Sequence, residues 1–325
     1  MKAEQRLELL RQLEEPGVNK RKMLKALDVP ESTYYHWRDL LESGGVSALE
    51  KEAPVAKRVW SRLLPEEEQK IILEAKAHPE LSPRLLALKI TDSEGFYASE
   101  SKVFSLLKSH GLIAPRPMPE FPAAKEYRHK TTRRNEMWQI DGTQFFVVDW
   151  GYYKLLPVID DYSRKGLSHR LYPDESGESA SQAIEEAVEK AGIKDLPQES
   201  RPILLSDNGS AFKSDLLAQH LAVHGIRHIF GRPYHPQTQG KIERLNRRIK
   251  EKVCLMVHTS PGELQKAIDE FFETYNATPH EGLKNVSPND VYDGKRDEIL
   301  ARRAEIKRRS LERRKEYNLG RPKAS

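Results

Sequence analysis

Three acidic residues stand where carboxylates could do chemistry. Asp141 lies within a predicted strand, Asp207 directly follows a short apolar strand, and Glu243 lies one turn inside a long predicted helix, with 35 residues between Asp207 and Glu243. Mg²⁺ prefers oxygen ligands, and two such ions about 3.5–4 Å apart can activate the attacking oxygen and stabilise the leaving oxygen of a phosphodiester. Because any three of 49 acids could be chosen, the sequence around each must decide.

The elements around these acids predict a mixed sheet flanked by helices. Period-two patterns predict three antiparallel strands at 138–148, 153–160 and 166–172, followed by a helix at about 178–191. A strand at 203–206, a helix at 212–224, a strand at 226–230 and helices at 238–258 and 261–275 follow. This order places Asp207 at a strand end, where α/β folds carry their chemistry.

The contexts of the three acids resemble the motifs of the DDE transposases of bacterial insertion sequences, and retroviral integrases are similar over the same core. The segments are WQIDGT (138–143), SDNG (206–209) and QGKIER (239–244), and the 35-residue interval is also the family's. The flanking segments IDDYSR (159–164) and YNATPH (275–280) match as well. The resemblance covers about 138–292 and extends more weakly to 82–113.

This resemblance implies an α/β, RNase H-like fold preceded by all-α helix-turn-helix units. It implies that Asp141, Asp207 and Glu243 are the catalytic and metal-binding residues of a DNA transposase. The implied cofactor is Mg²⁺, as two ions, with Mn²⁺ as a substitute. The implied reaction is 3′-end cleavage followed by strand transfer, with double-stranded DNA, both element ends and target, as the partner of a homo-oligomer.

Two departures from the family patterns are visible. The last block commonly carries Arg before Pro-His, and Thr278 stands there, which affects a local contact rather than the metal site. The N-terminal region also lacks the His/Cys zinc set of retroviral integrases, so that subtype is not expected.

The first 60 residues predict a helix-turn-helix domain. Apolar spacing indicates helices at 4–14, 19–27 and 31–41, with a turn at Asp28–Pro30 and a stop at Gly44-Gly45. The second helix of such a unit enters the major groove, although a small helical bundle would show the same pattern. The residues expected to face DNA are Ser32, Thr33, Tyr35, His36 and Arg38.

A second helical domain is predicted over 61–113, with helices from Pro65, near 82–92 and near 99–110. It fits either a further DNA-binding unit or a spacer. Residues 114–136 form a basic, proline-rich linker, which could lie along phosphates. The catalytic core is predicted over 137–294.

The long helix near Glu243 combines an apolar stripe with a basic surface. Ile242, Leu245, Ile249 and Val253 recur at helical spacing and predict a packed face. The neighbouring polar residues are predicted to contact DNA, against the alternative of a solvated basic surface; they are Lys241, Arg244, Asn246, Arg247, Arg248 and Lys250.

The predicted helical tail over 295–325 holds most of the basic excess. It has 12 Lys and Arg against 5 Asp and Glu, a net charge of +7, which leaves −2 for the rest of a chain whose total is +5. Paired arginines between Arg302 and Arg314 could contact phosphates on one face, and a solvated helix is the alternative.

Other signals exclude classes of protein. No apolar run approaches the roughly 20 residues of a membrane span, the charged N-terminus is not a secretory signal, and the single Cys254 excludes an intramolecular disulfide. We therefore expect a bacterial cytoplasmic protein that associates with the nucleoid, without a membrane or a small-molecule substrate.

Two further clusters are set aside at this stage. His220, His224 and His228 are spaced by four like metal ligands, but Gly225 should end their helix, so no zinc site is predicted. Asp160 and Asp161 are expected to cap a turn rather than to join the catalytic residues.

Two alternative functions stay open. A nuclease on the same fold would cut without joining, and a domesticated transposase could act as a DNA-binding regulator.

Overall fold

The structure is a computed structural model that describes residues 3–49, 60–113, 131–231 and 240–320. The chain divides into two units, Met1–Arg62 with Lys315–Ser325, and Leu63–Arg314. Most of the linker predicted at 114–136 lies outside the described residues, which resume at 131.

The first unit contains the three predicted N-terminal helices. They are α1 (Ala3–Glu14), α2 (Lys20–Ala26) and α3 (Glu31–Ala48). Leu10, Leu13, Leu24 and Tyr34 are buried between them. Asn19 caps α2, and α3 is kinked at Gly45, whose φ of 65° is unfavourable for residues with a side chain. The expected interruption at the two glycines is therefore present, although helix resumes as far as Ala48.

The second unit begins with three helices that correspond to the predicted ones. They are α4 (Pro65–Ala77), α5 (Pro83–Ser93) and α6 (Glu100–Ser109). Ile71, Leu86, Ile90 and Val103 form their buried core. All-helical N-terminal regions are thus confirmed, and the binding of DNA by α3 stays a prediction.

In the described part of the chain, eight strands form two sheets. The strands are β1 (Met137–Ile140), β2 (Thr143–Val147), β3 (Gly151–Leu155), β4 (Val158–Asp160), β5 (Gly166–Ser168), β6 (Leu171–Tyr172), β7 (Ile203–Ser206) and β8 (Arg227–Phe230). The larger sheet has the order β5-β4-β1-β7-β8, and the smaller has the order β2-β3-β6. β7 runs parallel to β1 and β8, whereas β4 is antiparallel to β1 and β5.

Each of the three long strands predicted from the sequence is broken in the structure. The first ends at Ile140 and restarts at Thr143, the second is interrupted before Pro157, and the third is interrupted around His169. In each case one half of the predicted strand belongs to the larger sheet and the other half to the smaller sheet. The chain must therefore leave one sheet before it enters the other, which breaks the strand. The prediction that Asp141 lies within a strand is therefore wrong, and the residue lies directly after one.

Helices cover both faces of the larger sheet, as predicted for this fold class. α7 (Gly177–Ala191) and α8 (Asp215–Val223) pack with Trp138, Ile140 and Leu204 in one apolar core. α9 (Gly240–Val253) and α10 (Pro261–Ala277) pack with Ile159 and the smaller sheet in another. The mixed sheet flanked by helices is confirmed.

The second unit closes with α11 (Pro288–Tyr292) and most of α12 (Arg296–Gly320). Arg303 donates to both carboxylate oxygens of Asp92, and Arg314 forms a buried ion pair with Glu67 at 2.8 Å. Arg313 pairs with Glu66. The arginines predicted to form a phosphate-binding face of the tail are thus held by acids of α4, α5 and α12 itself. Among the described helices, none is both long and apolar enough to span a bilayer.

Candidate active site

Asp141 lies immediately beyond β1, on the segment that leaves the larger sheet for the smaller one. Its Oδ2 accepts a hydrogen bond from Asn246 Nδ2 at 2.9 Å. Burial, reinforced by the neighbouring carboxylates of Asp207, Glu243 and Glu175, raises the pKa of Asp141 to about 6, and the Asn246 bond opposes this shift. Asp141 is therefore placed among like charges.

Asp207 reaches the same edge because its strand runs parallel to that of Asp141. β7 pairs with β1 in parallel, with Leu205 opposite Gln139, so the carboxyl ends of both strands lie together. Asp207 is exposed directly after β7, and the Gly209 amide donates to its Oδ1 at 2.8 Å. The predicted position at a strand end is confirmed.

Glu243 lies in the first turn of α9 and is exposed. The predicted packing stripe of this helix is buried, at Ile242, Leu245, Ile249 and Val253. That packing fixes the rotation of the helix, so Glu243 and Asn246, three residues apart, lie on neighbouring positions beside Asp141.

The three carboxylates influence one another electrostatically, since both Asp207 and Glu243 raise the pKa of Asp141. They are not as close as metal ligands commonly are. Among the described residues, the one set of three acids or histidines whose ligand atoms all lie within 4.8 Å is Glu185, His220 and His224. Like charges gain nothing from closer approach unless a cation lies between them. Their role as catalytic and metal-binding residues stays a prediction.

Glu175 is a fourth acid near this edge that the sequence analysis did not identify. Its carboxylate pairs with Lys154 Nζ at 2.9 Å and raises the pKa of Asp141. A Cβ on Gly142 would lie 2.6 Å from Glu175 Oε1, so a side chain after Asp141 would require the Glu175 carboxylate to move. No motif marked Glu175, because it lies in the loop between β6 and α7.

The first turn of α9 is tied to the sheet by a polar network. Lys241 Nζ donates to the Asp161 carboxylate at 2.7 Å, and Gln139 Nε2 donates to the same carboxylate at 2.6 Å. The Ile242 amide also donates to Gln139 Oε1 at 3.3 Å. Asp161 therefore anchors the helix that carries Glu243, and Lys241 serves this contact.

Asp160 has the capping role expected for it. It accepts hydrogen bonds from the amides of Asn135 and Ser163 and from the Ser163 hydroxyl, at 2.6 to 2.8 Å. Its fully buried carboxylate closes the turn between β4 and β5.

A basic pocket of about 520 Å³ lies beside α9. Arg244, Arg247 and Arg248 line it together with Lys241 and residues that include Arg164, Tyr275 and His280. Burial and the nearby arginines lower the pKa of His280 to about 3, so the His280 ring stays neutral. Lys250 is exposed further along the helix. The pocket is suited to an anionic ligand, and contact with DNA stays a prediction.

The segment 275–280 also supports the sheet. Asn276 accepts from the Gly166 amide at 2.9 Å and donates to the Gly166 carbonyl at 3.1 Å, which fixes β5 against α10. The Thr278 hydroxyl, at the position where the family commonly carries Arg, donates to the Thr274 carbonyl at 2.6 Å.

The residues predicted to read DNA on α3 lie on its N-terminal half. Ser32, Tyr35 and His36 are exposed, whereas Thr33 and Arg38 are half-buried. The Arg38 guanidinium lies 5.2 Å from the centre of the Tyr35 ring. The exposed Ser32, Tyr35 and His36 are available for the contacts expected of a recognition helix, whereas Arg38 is paired with Asp39 and Glu42 of its own helix.

The donor set at the sheet edge fits magnesium. Asp141, Asp207 and Glu243 offer carboxylate oxygens, the hard ligands that this ion prefers. Burial and, after it, the neighbouring carboxylates raise the pKa of Asp141, and a bound cation would offset both effects.

Comparison with known proteins bears on this arrangement. The family described as "Integrase core domain" matches residues 131–236 through one profile and residues 224–288 through a second. This chain contains an integrase-like catalytic core. The core contains β1, β7 and α9 and therefore all three predicted catalytic carboxylates. The predicted class, a polynucleotidyl transferase core, is thereby confirmed, and an origin in a bacterial insertion sequence stays a prediction.

Relatives by sequence include viral polyproteins. The chain is 26% identical over 245 residues to the Gag-Pol polyprotein of avian reticuloendotheliosis virus, which covers 68% of this chain and 20% of that protein. It is also 26% identical over 264 residues to the Pro-Pol polyprotein of feline foamy virus, and this match covers 76% of this chain and 22% of that protein. The chain thus spans about a fifth of the length of these relatives.

Similar solved structures include the HTLV-2 integrase catalytic core domain in complex with magnesium. It is 21% identical with a TM-score of 0.39, covering 49% of this chain and 97% of that one. A chain of an intasome of simian T-cell lymphotropic virus is 21% identical with a TM-score of 0.42. The match covers 67% of this chain and 74% of that one.

Proposed function

We propose that this protein is a DNA transposase that cleaves the 3′ ends of a mobile element and transfers them to target DNA, with Asp141, Asp207 and Glu243 as its catalytic and metal-binding residues. The observation that carries the proposal is the meeting of these three carboxylates, from two parallel strands and a helix, at one edge of an integrase-like core.

The chain's own residues divide the work of this reaction. Asp141, Asp207 and Glu243 would hold Mg²⁺ or Mn²⁺, and the bound ions would supply the positive charge that activates the attacking oxygen and stabilises the leaving oxygen. Asn246 orients Asp141 through its 2.9 Å hydrogen bond. The Asp161–Lys241 ion pair keeps the first turn of α9, and with it Glu243, against the sheet.

The basic surface of α9 positions the substrate in this proposal. Arg244, Arg247 and Arg248 line a pocket beside the carboxylates' helix, and phosphate contacts orient DNA without reading its sequence. Recognition of the element ends would come from α3. Joining two ends requires at least two protomers, so the partner is double-stranded DNA bound by a homo-oligomer, in the bacterial cytoplasm at the nucleoid.

The proposal is tested with the full-length protein and labelled duplexes taken from the DNA flanking its gene. With Mg²⁺ we expect nicked ends and joined products longer than the substrate, and none of these with a chelator. Shortened fragments without joined products would favour the nuclease. A footprint without any product would favour the regulator and contradict the proposal.

A further inference from the structure

Two histidines and a glutamate meet on the opposite side of the larger sheet from α9. His220 and His224 lie near the end of α8, and Glu185 lies on the adjacent α7. Glu185 Oε2 is 2.7 Å from His224 Nε2 and 3.3 Å from His220 Nε2. His228, which shares their spacing in the sequence, instead lies on β8 and contacts Ser206 at 2.9 Å.

The spacing of the three donor atoms suits a four-coordinate metal ion. Bonds of about 2.0–2.1 Å in a tetrahedral site place ligand atoms roughly 3.3 Å apart. The distance from Glu185 Oε2 to His220 Nε2, 3.3 Å, equals this value, and all three donor atoms lie within 4.8 Å of one another. The distance from Glu185 Oε2 to His224 Nε2 is 2.7 Å, a hydrogen bond that would lengthen by roughly 0.6 Å around an ion. Histidines four residues apart on a helix project from the same face.

The donors are also in suitable chemical states. The buried Nε2 of His220 has no hydrogen-bond partner among the described residues. Burial lowers the pKa of His220, which keeps the ring neutral, as a metal ligand must be. Hydrogen bonds from Lys194 and His224 lower the pKa of Glu185, and Lys194 binds Oε1 at 2.8 Å, leaving Oε2 towards the histidines.

We propose that Glu185, His220 and His224 form a second metal site, for zinc or a similar transition metal. Imidazole nitrogens suit Zn²⁺, Co²⁺ and Ni²⁺, whereas magnesium prefers oxygen ligands. Three protein ligands leave one position for solvent. The ion would join α7 to α8, the helices that precede and follow the segment carrying Asp207.

The test uses full-length protein in which Asp207→Asn weakens the carboxylate site and Cys254→Ser removes the exposed free thiol. Zn²⁺ is titrated against a chromophoric chelator, and Co²⁺ is titrated while its visible absorption is recorded. We expect one ion per chain, with the absorption of four-coordinate Co²⁺. Since even outer-shell partners contribute 10- to 100-fold to affinity, His220→Gln, His224→Gln or Glu185→Gln should each weaken binding by at least about 10- to 100-fold.

His228→Gln is the matched control, because this histidine lies outside the cluster and should leave both titrations unchanged. A ligand that binds only the folded state raises the thermal midpoint. Added Zn²⁺ should therefore raise it in the parent and in His228→Gln but not in His220→Gln. The thermal midpoint without zinc shows whether each variant is folded like the parent. If all three ligand variants keep the parent's midpoint and still bind the ion, the site is overturned. An absence of binding in the parent would overturn it as well.

Discussion

Two basic helices of the second unit, α9 and the portion of α12 up to Arg314, place their arginines in different surroundings. Six arginines of α12 are paired with carboxylates of α4, α5 or α12 itself; they are Arg302, Arg303, Arg308, Arg309, Arg313 and Arg314. On α9, the side chains of Arg247, Arg248 and Lys250 form no hydrogen bond or ion pair with any described residue.

The acids near these helices differ in the same way. Glu67 is buried against Arg314, which balances its charge. Asp141 is half-buried beside three other carboxylates, and Asn246 donates a hydrogen bond to it. Charge is thus balanced where α12 supports the fold and left unbalanced where α9 faces the proposed substrate. Unbalanced charge costs stability, and metal ions and phosphates are ligands that would relieve it. Net basic charge alone therefore does not identify a DNA-binding helix.

The largest effect on folding is expected from Arg314→Met. It leaves Glu67 buried without its partner, and breaking a buried ion pair in this way costs about 3–5 kcal/mol. Chemical denaturation should show this loss. The double variant Glu67→Met/Arg314→Met should recover much of it, because no unpaired charge remains. Arg308→Met, on an exposed pair of the same helix, is the control. If Arg314→Met and Arg308→Met lower the free energy of unfolding equally, the buried ion pair of α12 does not support the fold as described.

Asp141→Asn is expected to increase the stability of the fold, in contrast to Arg314→Met. The pKa of Asp141 is raised from 3.8 to about 6, so its ionisation destabilises the folded state; the penalty is absent below pH 4 and complete above pH 6. With a chelator present, the variant should be more stable than the parent at pH 8, by up to about 3 kcal/mol at roughly 1.4 kcal/mol per pKa unit. The two proteins should converge near pH 4. A variant that is less stable at pH 8 would show that Asp141 is not under electrostatic strain.

The smallest expected effect concerns DNA affinity, which should depend on the arginines of α9 and not on those of α12. Arg247→Gln/Arg248→Gln and Arg308→Gln/Arg309→Gln remove the same charge. The slope of log K against log salt should fall, for the α9 pair, by up to roughly 0.9 for each phosphate that is no longer neutralised. The slope should change little for the α12 pair, whose arginines already contact acids. Fluorescence anisotropy over a range of salt concentrations measures both, and an equal or larger change for the α12 pair would reverse the assignment.

The sequence predicted those features that depend on local pattern. Helical spacing located α4 to α10 to within a few residues, and the strand end before Asp207 followed from the apolar segment ILLS. Pattern could not show that the strand through Asp141 divides between two sheets, because the division depends on pairing with distant strands, β1 with β4 and β2 with β3.

Partners distant in sequence could not be predicted either. Arg314 meets Glu67 across 247 positions, and Glu185 meets His224 across 39, so only the folded chain shows that the tail arginines are paired and that the histidines have an acid beside them. For the same reason Glu175 was missed, since its relation to Asp141 depends on the close approach at Gly142.

The most direct test of the central claim is end cleavage and joining by matched carboxylate variants in Mg²⁺. Asp207→Asn and Glu243→Gln remove proposed metal ligands, whereas Asp215→Asn and Glu251→Gln make the same changes at exposed positions of α8 and α9. We predict that the first pair loses cleavage and joining at least about 1,000-fold, of the order of 4 kcal/mol at roughly 1.4 kcal/mol per tenfold. DNA affinity should stay near that of the parent, and the second pair should keep both activities. Strand transfer retained by Asp207→Asn would contradict the account.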